Sequence, residues 1–328
     1  MKQKTKKLFA AGIIAIFLLS GCGEKETSAF PEEVYKESHK VDEVVKEEMI
    51  PLSGAPVLSS AIFSPEASGS VVYSGNGITI DASHTDDGYV MIRSDNPSES
   101  KKKVILQGPK GIQYTYDMNL QGEYETFGFS DGNGNYTIGV YENVEGSKYT
   151  TLFSQKIEVM LKDEFAPFLC PNQYVNYRMN SKAVKLAEQL TGNVSEDLVK
   201  VQEVYHYVVE NITYDKEEAQ SVKSGYLPDV DEVLETKKGI CFDYAALMTA
   251  MLRSQNIPTK LVTGYTGSAY HAWISTYTPE TGWVEGIIFF DGISWKLMDP
   301  TFASSSGSSD AIMEYIGDGE NYIEKYLY

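Results

Sequence analysis

The sequence is poor in the residues that build disulfide frameworks and metal clusters. Of its 328 residues only three are cysteines and four are histidines, and the cysteines lie far apart, at positions 22, 170 and 241. This spacing excludes a disulfide-rich fold and a Cys-rich zinc module. Any chemistry that needs an imidazole must therefore use one of the four histidines, His39, His84, His206 or His271.

Basic residues are also scarce relative to acidic ones. The chain has 28 Lys or Arg and 46 Asp or Glu, a formal charge of −18 and a pI near 4.7. This charge excludes a nucleic-acid partner held by bulk electrostatics. Hydrophobic residues at 42% and charged residues at 23% are close to globular averages, which excludes a wholly disordered or multispanning chain. The length suggests two domains.

The N-terminal segment has the features of an export signal. Four lysines precede an apolar run, Leu8–Leu19, that is shorter than the roughly 20 residues needed to cross a bilayer. The run ends in Leu19-Ser20-Gly21-Cys22, which resembles a bacterial lipobox. That resemblance implies a signal peptide over residues 1–21, lipid attachment at Cys22, and a location on the extracytoplasmic face of a bacterial cell membrane. An uncleaved N-terminal helix is the alternative.

Residues 22–62 have the composition of a spacer. They are rich in Glu, Lys, Ser and Pro and offer little apolar surface to bury. We therefore predict a flexible tether there, with His39 in solvent.

The next section, residues 63–162, is predicted to be a β-sandwich. Short runs of β-branched and aromatic residues alternate with Gly, Asn and Asp turns, which predicts about eight antiparallel strands. This spacing is typical of a sandwich of immunoglobulin type. A spacing or docking role suits it, because its sequence contains no paired titratable groups that indicate catalysis.

One turn within this section invites a calcium interpretation. Asp131, Asn133, Asn135 and Glu142 stand at the first, third, fifth and twelfth positions of a calcium loop. Tyr136, however, takes the place where such a loop needs glycine, and the flanks are predicted strands. A Gly/Asn hairpin turn is therefore favoured.

After residue 166 the periodicity becomes helical. An apolar face over residues 183–190 predicts a helix that ends near Gly192, and a second helix runs from Ser195 to Asn211. His206 lies in the second helix with no His or Cys beside it at metal spacing, which favours a packed side chain.

A third predicted helix carries the most informative cysteine. The segment that starts at Lys237 predicts a buried helix stopped by Pro258, with Cys241 in its first turn and Gly239 allowing close backbone approach. The positive end of the helix dipole favours a thiolate there, which is typical of a nucleophile. A buried structural cysteine would fit the same apolar stripe, so this helix alone leaves both interpretations open.

Strands are predicted downstream over residues 259–265, 270–277 and 294–300. His271 and Asp299 each lie at a strand end. If their two strands pair antiparallel, these residues become cross-strand neighbours. The carboxylate would then hold one ring nitrogen while the other faces Cys241, which is the arrangement of an activated thiol.

Three segments together resemble the core motifs of the transglutaminase-like superfamily: Gly-Ile-Cys-Phe-Asp-Tyr-Ala at 239–245, His-Ala-Trp at 271–273, and Trp-x3-Asp-Pro-Thr at 295–301. Residues 208–215 resemble the lead-in segment of that family. The resemblance implies an α+β chain in which a papain-like core, with a helix-borne cysteine packed on an antiparallel sheet, occupies residues 163–328. The sandwich is similar to β-domains that precede this core in bacterial exported proteins.

The resemblance also implies roles. Cys241 is the acyl-accepting nucleophile, His271 the general base and then acid, and Asp299 its orienter. The shared step is thiolate attack on an amide carbonyl, giving a thioester. Water resolves the thioester in a peptidase or amidase and an amine does so in a crosslinker, and neither route calls for a cofactor.

Supporting residues are less well defined. The oxyanion can use the backbone N–H of Cys241, and Asn211 and Tyr214 are the candidate side-chain donors. Trp273 shares the strand face of the histidine and is a candidate wall of the cleft, or else a core aromatic. Cys170 lies away from every motif and is interpreted as an inert thiol.

Three hypotheses remain for the function. The leading one is a lipid-anchored, extracytoplasmic thiol enzyme whose partners are protein or peptide amides, such as cell-wall peptides or surface proteins. The second is a non-catalytic transglutaminase-like scaffold that binds the surface or cell wall, although a scaffold has no need of all three triad residue types. The third, a zinc site of Cys241, His271 and Asp299, is disfavoured because zinc sites normally contain a close ligand pair.

Overall fold

The computed structural model describes residues 62–96, 100–119, 121–266, 269–279, 281–284, 288–290, 295–297 and 322–328. The predicted signal peptide and the tether up to residue 61 lie outside these ranges, and so do Cys22, His39 and Asp299. Among the described residues, no helix combines the length and the apolar character needed to cross a membrane.

Eight strands form the first part of the described chain: β1 (Val72–Gly75), β2 (Ile78–Asp81), β3 (Tyr89–Ser94), β4 (Lys102–Gln107), β5 (Gln113–Asp117), β6 (Glu125–Gly128), β7 (Gly134–Glu145) and β8 (Lys148–Val159). They make two antiparallel four-stranded sheets, in the orders β1-β2-β3-β6 and β5-β4-β7-β8. Alternate side chains of both sheets enter one core, where Tyr116 and Phe127 meet edge to face at 5.0 Å.

The two sheets confirm the predicted antiparallel sandwich. Their strand order differs from that of immunoglobulin constant domains, in which the first, second, fourth and fifth strands share a sheet. The immunoglobulin type is therefore not confirmed.

The Asp131–Asn135 segment is neither a hairpin turn nor a calcium loop. It comprises the end of the connection from β6 and the start of β7, and these strands belong to different sheets, so the predicted hairpin turn is wrong. Glu142 lies near the opposite end of β7 from this segment, and its carboxylate meets Lys102 Nζ at 3.3 Å. An extended strand thus separates the residues that would have to share one ion.

The second part of the described chain contains five helices and eight strands: α1 (Lys182–Thr191), α2 (Asp197–Asn211), β9 (Thr213–Tyr214), α3 (Lys216–Ser221), α4 (Val230–Thr236), β10 (Lys238–Gly239), α5 (Cys241–Ser254), β11 (Thr259–Thr266), β12 (Ala269–Thr278), β13 (Gly282–Val284), β14 (Ile288–Phe290), β15 (Trp295–Leu297) and β16 (Tyr322–Leu327). Helices and an antiparallel sheet thus follow the sandwich, and the predicted α+β class is confirmed.

Helix α5 is the central helix of this part. Every residue from Asp243 to Ser254 is buried, because α1, α2 and α4 pack on it together with strands β11 and β12. The Ala-Ala-Leu-Met run at 245–248 supplies apolar side chains on every side of the helix, and the buried polar residues Asp243 and Arg253 are hydrogen-bonded. The predicted third helix is confirmed, with Cys241 as its first residue.

The main sheet of this part has the order β13-β12-β11-β16, and β14 pairs separately with β15. This differs from the sequence interpretation, in which the strand around Trp295 pairs with the strand of His271. Within the described residues β12 pairs with β11 along its length and with β13 over Thr276–Thr278, whereas Trp295 pairs with Phe290. Three-residue strands such as β14 and β15 carry too little pattern to indicate their partner.

The two parts of the chain share one hydrophobic core. It runs from sandwich residues such as Val104 to Met248 on α5 and Trp273 on β12. Tyrosines join the parts directly, since the ring of Tyr114 on β5 lies 5.8 Å from that of Tyr328 after β16. The boundary predicted near residue 163 thus falls in a chain segment whose two sides pack together.

Candidate active site

Cys241 stands at the point where a short parallel ladder becomes helix α5. Strand β9 pairs with β10, so that Gly239 lies beside Tyr214, and Asp215 N–H donates to the Gly239 carbonyl at 2.9 Å. A Cβ at Gly239 would lie 2.7 Å from the Cβ of Asp243, so only glycine fits there. This confirms the close approach that the sequence predicts and fixes the entry into the helix.

The thiol of Cys241 is half-buried and is not in a disulfide. Its backbone N–H belongs to the first turn of α5, where N–H groups have no partner within the helix and the dipole is positive. Partial exposure, a free thiol and a positive helix end are the conditions under which a cysteine can act as a nucleophile.

His271 is the third residue of β12, the strand on which α5 packs. It is 8% exposed and lies opposite Gly264 of β11 in the sheet register. Its ring stacks near the indole of Trp273, two residues along the same strand face, with centroids 6.4 Å apart and an interplanar angle of 27°. The sheet and the indole therefore hold the imidazole in place.

The residues next to Cys241 and His271 in the sequence both lie near Tyr174. The Tyr174 ring lies 5.5 Å from that of Phe242, the residue after Cys241. Burial raises the pKa of Tyr174 above its ordinary value, and the charges of Asp117 and of Tyr270, the residue before His271, raise it further. Tyr174 thus contacts Phe242, which follows Cys241, and lies within electrostatic range of Tyr270, which precedes His271.

The predicted oxyanion donors have different surroundings. Asn211 is exposed at the end of α2, and its side-chain amide donates to the Tyr207 carbonyl at 2.9 Å. Tyr214 is half-buried, packs against the core and lies beside Gly239 through the β9–β10 ladder. The structure therefore brings Tyr214, and not Asn211, into the segment that leads to Cys241.

Trp273 is 1% exposed and belongs to the core. This burial favours the core interpretation, and the cleft-wall role stays a prediction.

Asp243 is a site residue that the sequence analysis did not single out. It is 1% exposed, accepts the Ile240 N–H at 2.8 Å through Oδ2, and accepts the Tyr226 O–H at 2.8 Å through Oδ1. Burial raises its pKa to about 6, and the charges of Glu218 and Glu232 act in the same direction. The available signal was its place three residues after an N-cap that has no polar side chain.

An acidic cavity of about 250 Å³ lies on the outer side of Asp243. Its lining includes four further carboxylates, from Asp215, Glu218, Asp229 and Glu232. Burial is the main cause of the raised Asp243 pKa, and two of these carboxylates, those of Glu218 and Glu232, raise it further.

Cys170 contrasts with Cys241. It is fully buried, and burial raises the pKa of its thiol to about 12. Within the described ranges, no group of three or more His, Cys, Asp or Glu side chains is arranged to hold a metal ion. Asp299, the third member of the zinc hypothesis and of the predicted triad, lies outside those ranges.

Residues 184–286 match the family model of the transglutaminase-like superfamily. The matched segment contains Cys241 and His271, and Asp299 follows it. The resemblance inferred from the motifs is thereby confirmed for residues 184–286, which contain the first two of the three motifs.

Individual curated proteins also match parts of this chain. An uncharacterized protein of Bacillus subtilis, YebA, is 29% identical over 171 residues, which are 46% of this chain and 22% of that protein. A protein-glutamine gamma-glutamyltransferase of Pseudomonas aeruginosa is 32% identical over 68 residues, which are 16% of this chain and 10% of that protein. The chain thus spans about a fifth or less of the length of these relatives.

Among solved structures, a candidate cysteine protease from Cytophaga hutchinsonii aligns with 70% of this chain and 72% of its own, at 17% identity and a TM-score of 0.37. The transglutaminase-like assignment of the helical part therefore rests on the family model and the motifs.

Proposed function

We propose that this chain is a thiol enzyme that acts on amide bonds through a Cys241 thioester. The observation that carries the proposal is the placement of a half-buried, free cysteine at the start of α5, on a helix that packs against the strand of a buried histidine. The match of residues 184–286 to the transglutaminase-like superfamily supports it, because that segment contains both residues.

The reaction divides into two halves. His271 takes the thiol proton of Cys241, and the thiolate attacks the amide carbonyl carbon, forming the C–S bond. Backbone N–H groups at the start of α5 stabilise the oxyanion, His271 returns the proton to the leaving nitrogen, and the C–N bond breaks. Water or a primary amine then attacks the thioester, giving an acid or a new amide and regenerating the thiol.

Asp299 completes the proposed triad. A carboxylate on one ring nitrogen of His271 would fix the tautomer in which the other nitrogen can accept the thiol proton, and would stabilise the imidazolium that results. The support for this role is the motif around Asp299, which resembles the third core motif of the superfamily.

The setting of the reaction follows from the N-terminal sequence. We propose that Cys22 carries the lipid, and that the enzyme works at the extracytoplasmic face of a bacterial cell membrane on amides of proteins or peptides, including cell-wall peptides and surface proteins. The gamma-glutamyltransferase activity named for the Pseudomonas relative makes glutamine side chains the first amides to test.

Alkylation of the full chain tests the nucleophile. We expect iodoacetamide at mildly acidic pH to label Cys241 rapidly in the wild type and more slowly, by about ten-fold or more, in His271→Ala, with each thiol followed by peptide mass spectrometry. Cys170, which is fully buried, reports any opening of the fold. His206→Ala is the matched control, because it removes a half-buried imidazole from α2. Labelling of Cys241 that does not depend on His271 would reject the enzyme and favour a binding scaffold.

A glutamine-containing peptide tests the reaction. We expect ammonia release that requires Cys241, measured with and without an added primary amine. Incorporation of the amine into the peptide identifies transamidation, and an acid product in the presence of the amine identifies hydrolysis. Release of ammonia by Cys241→Ala at the wild-type rate would contradict a thioester at this residue.

A further inference from the structure

Asp243 is a buried carboxylate that the proposed reaction does not use. Both of its oxygens accept hydrogen bonds of 2.8 Å, one from the Ile240 N–H and one from the Tyr226 O–H. The first bond reaches back over Cys241 along the chain, and the second reaches the loop between α3 and α4. The carboxylate therefore connects the start of α5 to a separate part of the fold.

Asp243 and Ile240 are joined by two hydrogen bonds of opposite direction. The Asp243 N–H donates to the Ile240 carbonyl at 2.9 Å, while the Asp243 side chain accepts from the Ile240 N–H. Ile240 is the N-cap residue of α5, and Asp243, at the third helical position, accepts its backbone N–H as the Glu or Gln of a capping box does. Cys241 lies between the two bonded residues, so its backbone has little freedom.

We propose that Asp243 and Tyr226 are positioning residues that set the direction of the Cys241 thiol and of its backbone N–H. This inference rests on the proposed function, since it assigns these two groups the task of holding a nucleophile and an oxyanion donor. A donor works on an oxyanion only if it is aimed before the charge develops. A small misplacement of a reacting group also reduces the rate strongly.

Tyr226 fixes the orientation of the Asp243 carboxylate. It extends from the loop between α3 and α4 and lines the acidic cavity beside Asp243. Its O–H satisfies Oδ1, so the carboxylate can turn Oδ2 toward Ile240 without leaving a buried oxygen unpaired. Gly239, which fits against the Asp243 Cβ, closes the space on the remaining side.

The test measures the initial rate of Cys241 alkylation by iodoacetamide in the full chain at neutral pH. We expect Asp243→Ala to slow labelling by about ten-fold, because one cap bond and one loop bond are lost. Asp243→Asn should restore at least the wild-type rate, since the amide can accept from Ile240 and donate to the Tyr226 oxygen. Tyr226→Phe should fall between, at about three-fold slower.

Two controls accompany these variants. Glu232→Gln removes a carboxylate that faces the same cavity and acts on Asp243 only through its charge, so it should label at about the wild-type rate. Cys170 is fully buried, and its labelling reports any variant that opens the fold.

The outcomes separate this inference from the proposed function. Asp243→Ala that labels at the wild-type rate, while labelling still depends on His271, overturns the inference alone. Asp243→Asn as slow as Asp243→Ala also overturns it, because the hydrogen bonds would not be the cause. If Asp243→Ala unfolds, slow labelling of Tyr226→Phe with normal labelling of Asp243→Asn supports the inference, and normal labelling of both rejects it. If His271→Ala labels at the same rate as the wild type, the proposed function itself is rejected.

Discussion

Arg253, near the end of α5, donates a hydrogen bond of 2.6 Å from Nη2 to the backbone carbonyl of Tyr328, beyond the end of β16. The same guanidinium donates from Nε to the Thr259 carbonyl at 2.8 Å and from Nη1 to the Cys170 carbonyl. One buried side chain thus ties the central helix to the start of β11, to the end of the sheet and to the segment that follows the sandwich.

We predict that this tie is a main source of stability. Burial lowers the pKa of Arg253 to about 10, so the group stays charged at neutral pH and needs all three carbonyls. Arg253→Lys cannot reproduce the fork and should lower the free energy of unfolding by about 2 kcal/mol or more, measured by urea denaturation. The exposed Arg178→Lys is the control and should change stability by less than about 0.5 kcal/mol.

Asp243 predicts a pH dependence of stability. Its pKa is raised to about 6 in the folded chain, against roughly 3.9 in an unfolded one, so the folded state holds the proton more tightly. Its contribution to stability is therefore fully present below about pH 4, is lost as the pH rises toward 6, and is constant above that value. The difference is about 3 kcal/mol.

Urea unfolding of wild type and Asp243→Asn, each at pH 4.5 and pH 8, tests this dependence. Asparagine does not titrate, so its stability relative to wild type should be higher at pH 8 than at pH 4.5. Taking the difference between the two proteins cancels the titration of all other carboxylates. An equal difference at both pH values would contradict a raised pKa.

Gly264 lies opposite His271, and we predict that this position does not tolerate a side chain. A Cβ there would collide with the Ile323 carbonyl and lie 2.8 Å from Cη2 of Trp273. Gly264→Ala should therefore cost about 3 kcal/mol of stability and slow the His271-dependent labelling of Cys241. Gly128→Ala is the matched strand control, because its Cβ would have no neighbour closer than 3.7 Å. Equal stability of the two variants would be evidence against the prediction.

The aromatic contact beside the cysteine yields a further prediction. Tyr174 packs on Phe242 at 5.5 Å, on Tyr116 of the sandwich at 5.6 Å and on Tyr328 at 4.5 Å. Tyr174→Leu keeps apolar bulk but loses these ring pairs, and should lower stability by about 1–3 kcal/mol.

Labelling of Cys241 should slow in the same Tyr174→Leu variant, because Phe242 loses its support. Tyr141→Leu, a half-buried tyrosine within the sandwich, should leave the labelling rate unchanged. Equal rates in the two variants would show that the ring contact does not reach the thiol.

The elements that the sequence predicted well are those with a long, regular pattern. The apolar face over residues 183–190 indicated α1, and Cys241 was predicted in the first turn of α5 and is its first residue. The motifs also indicated the superfamily whose model matches residues 184–286. In each case many residues contribute to one signal.

Short local patterns predicted the fold less well, because they do not specify which strand or side chain a segment will contact. The turn residues at Asp131 indicated a reversal of the chain but not that the next strand joins the other sheet. The Asp243 cap depends on Tyr226, which only the fold brings near.

The core shared by the sandwich and the transglutaminase-like part limits which sequence changes the protein can accept. A module joined only by a linker can be lost or exchanged without harm to its neighbour. Here Tyr114 and Tyr116 pack on Tyr328, whose ring contacts Tyr174, and Tyr174 packs on Phe242, the residue after Cys241. Changes in one part must be matched by changes in the other, and heating should unfold both in a single transition.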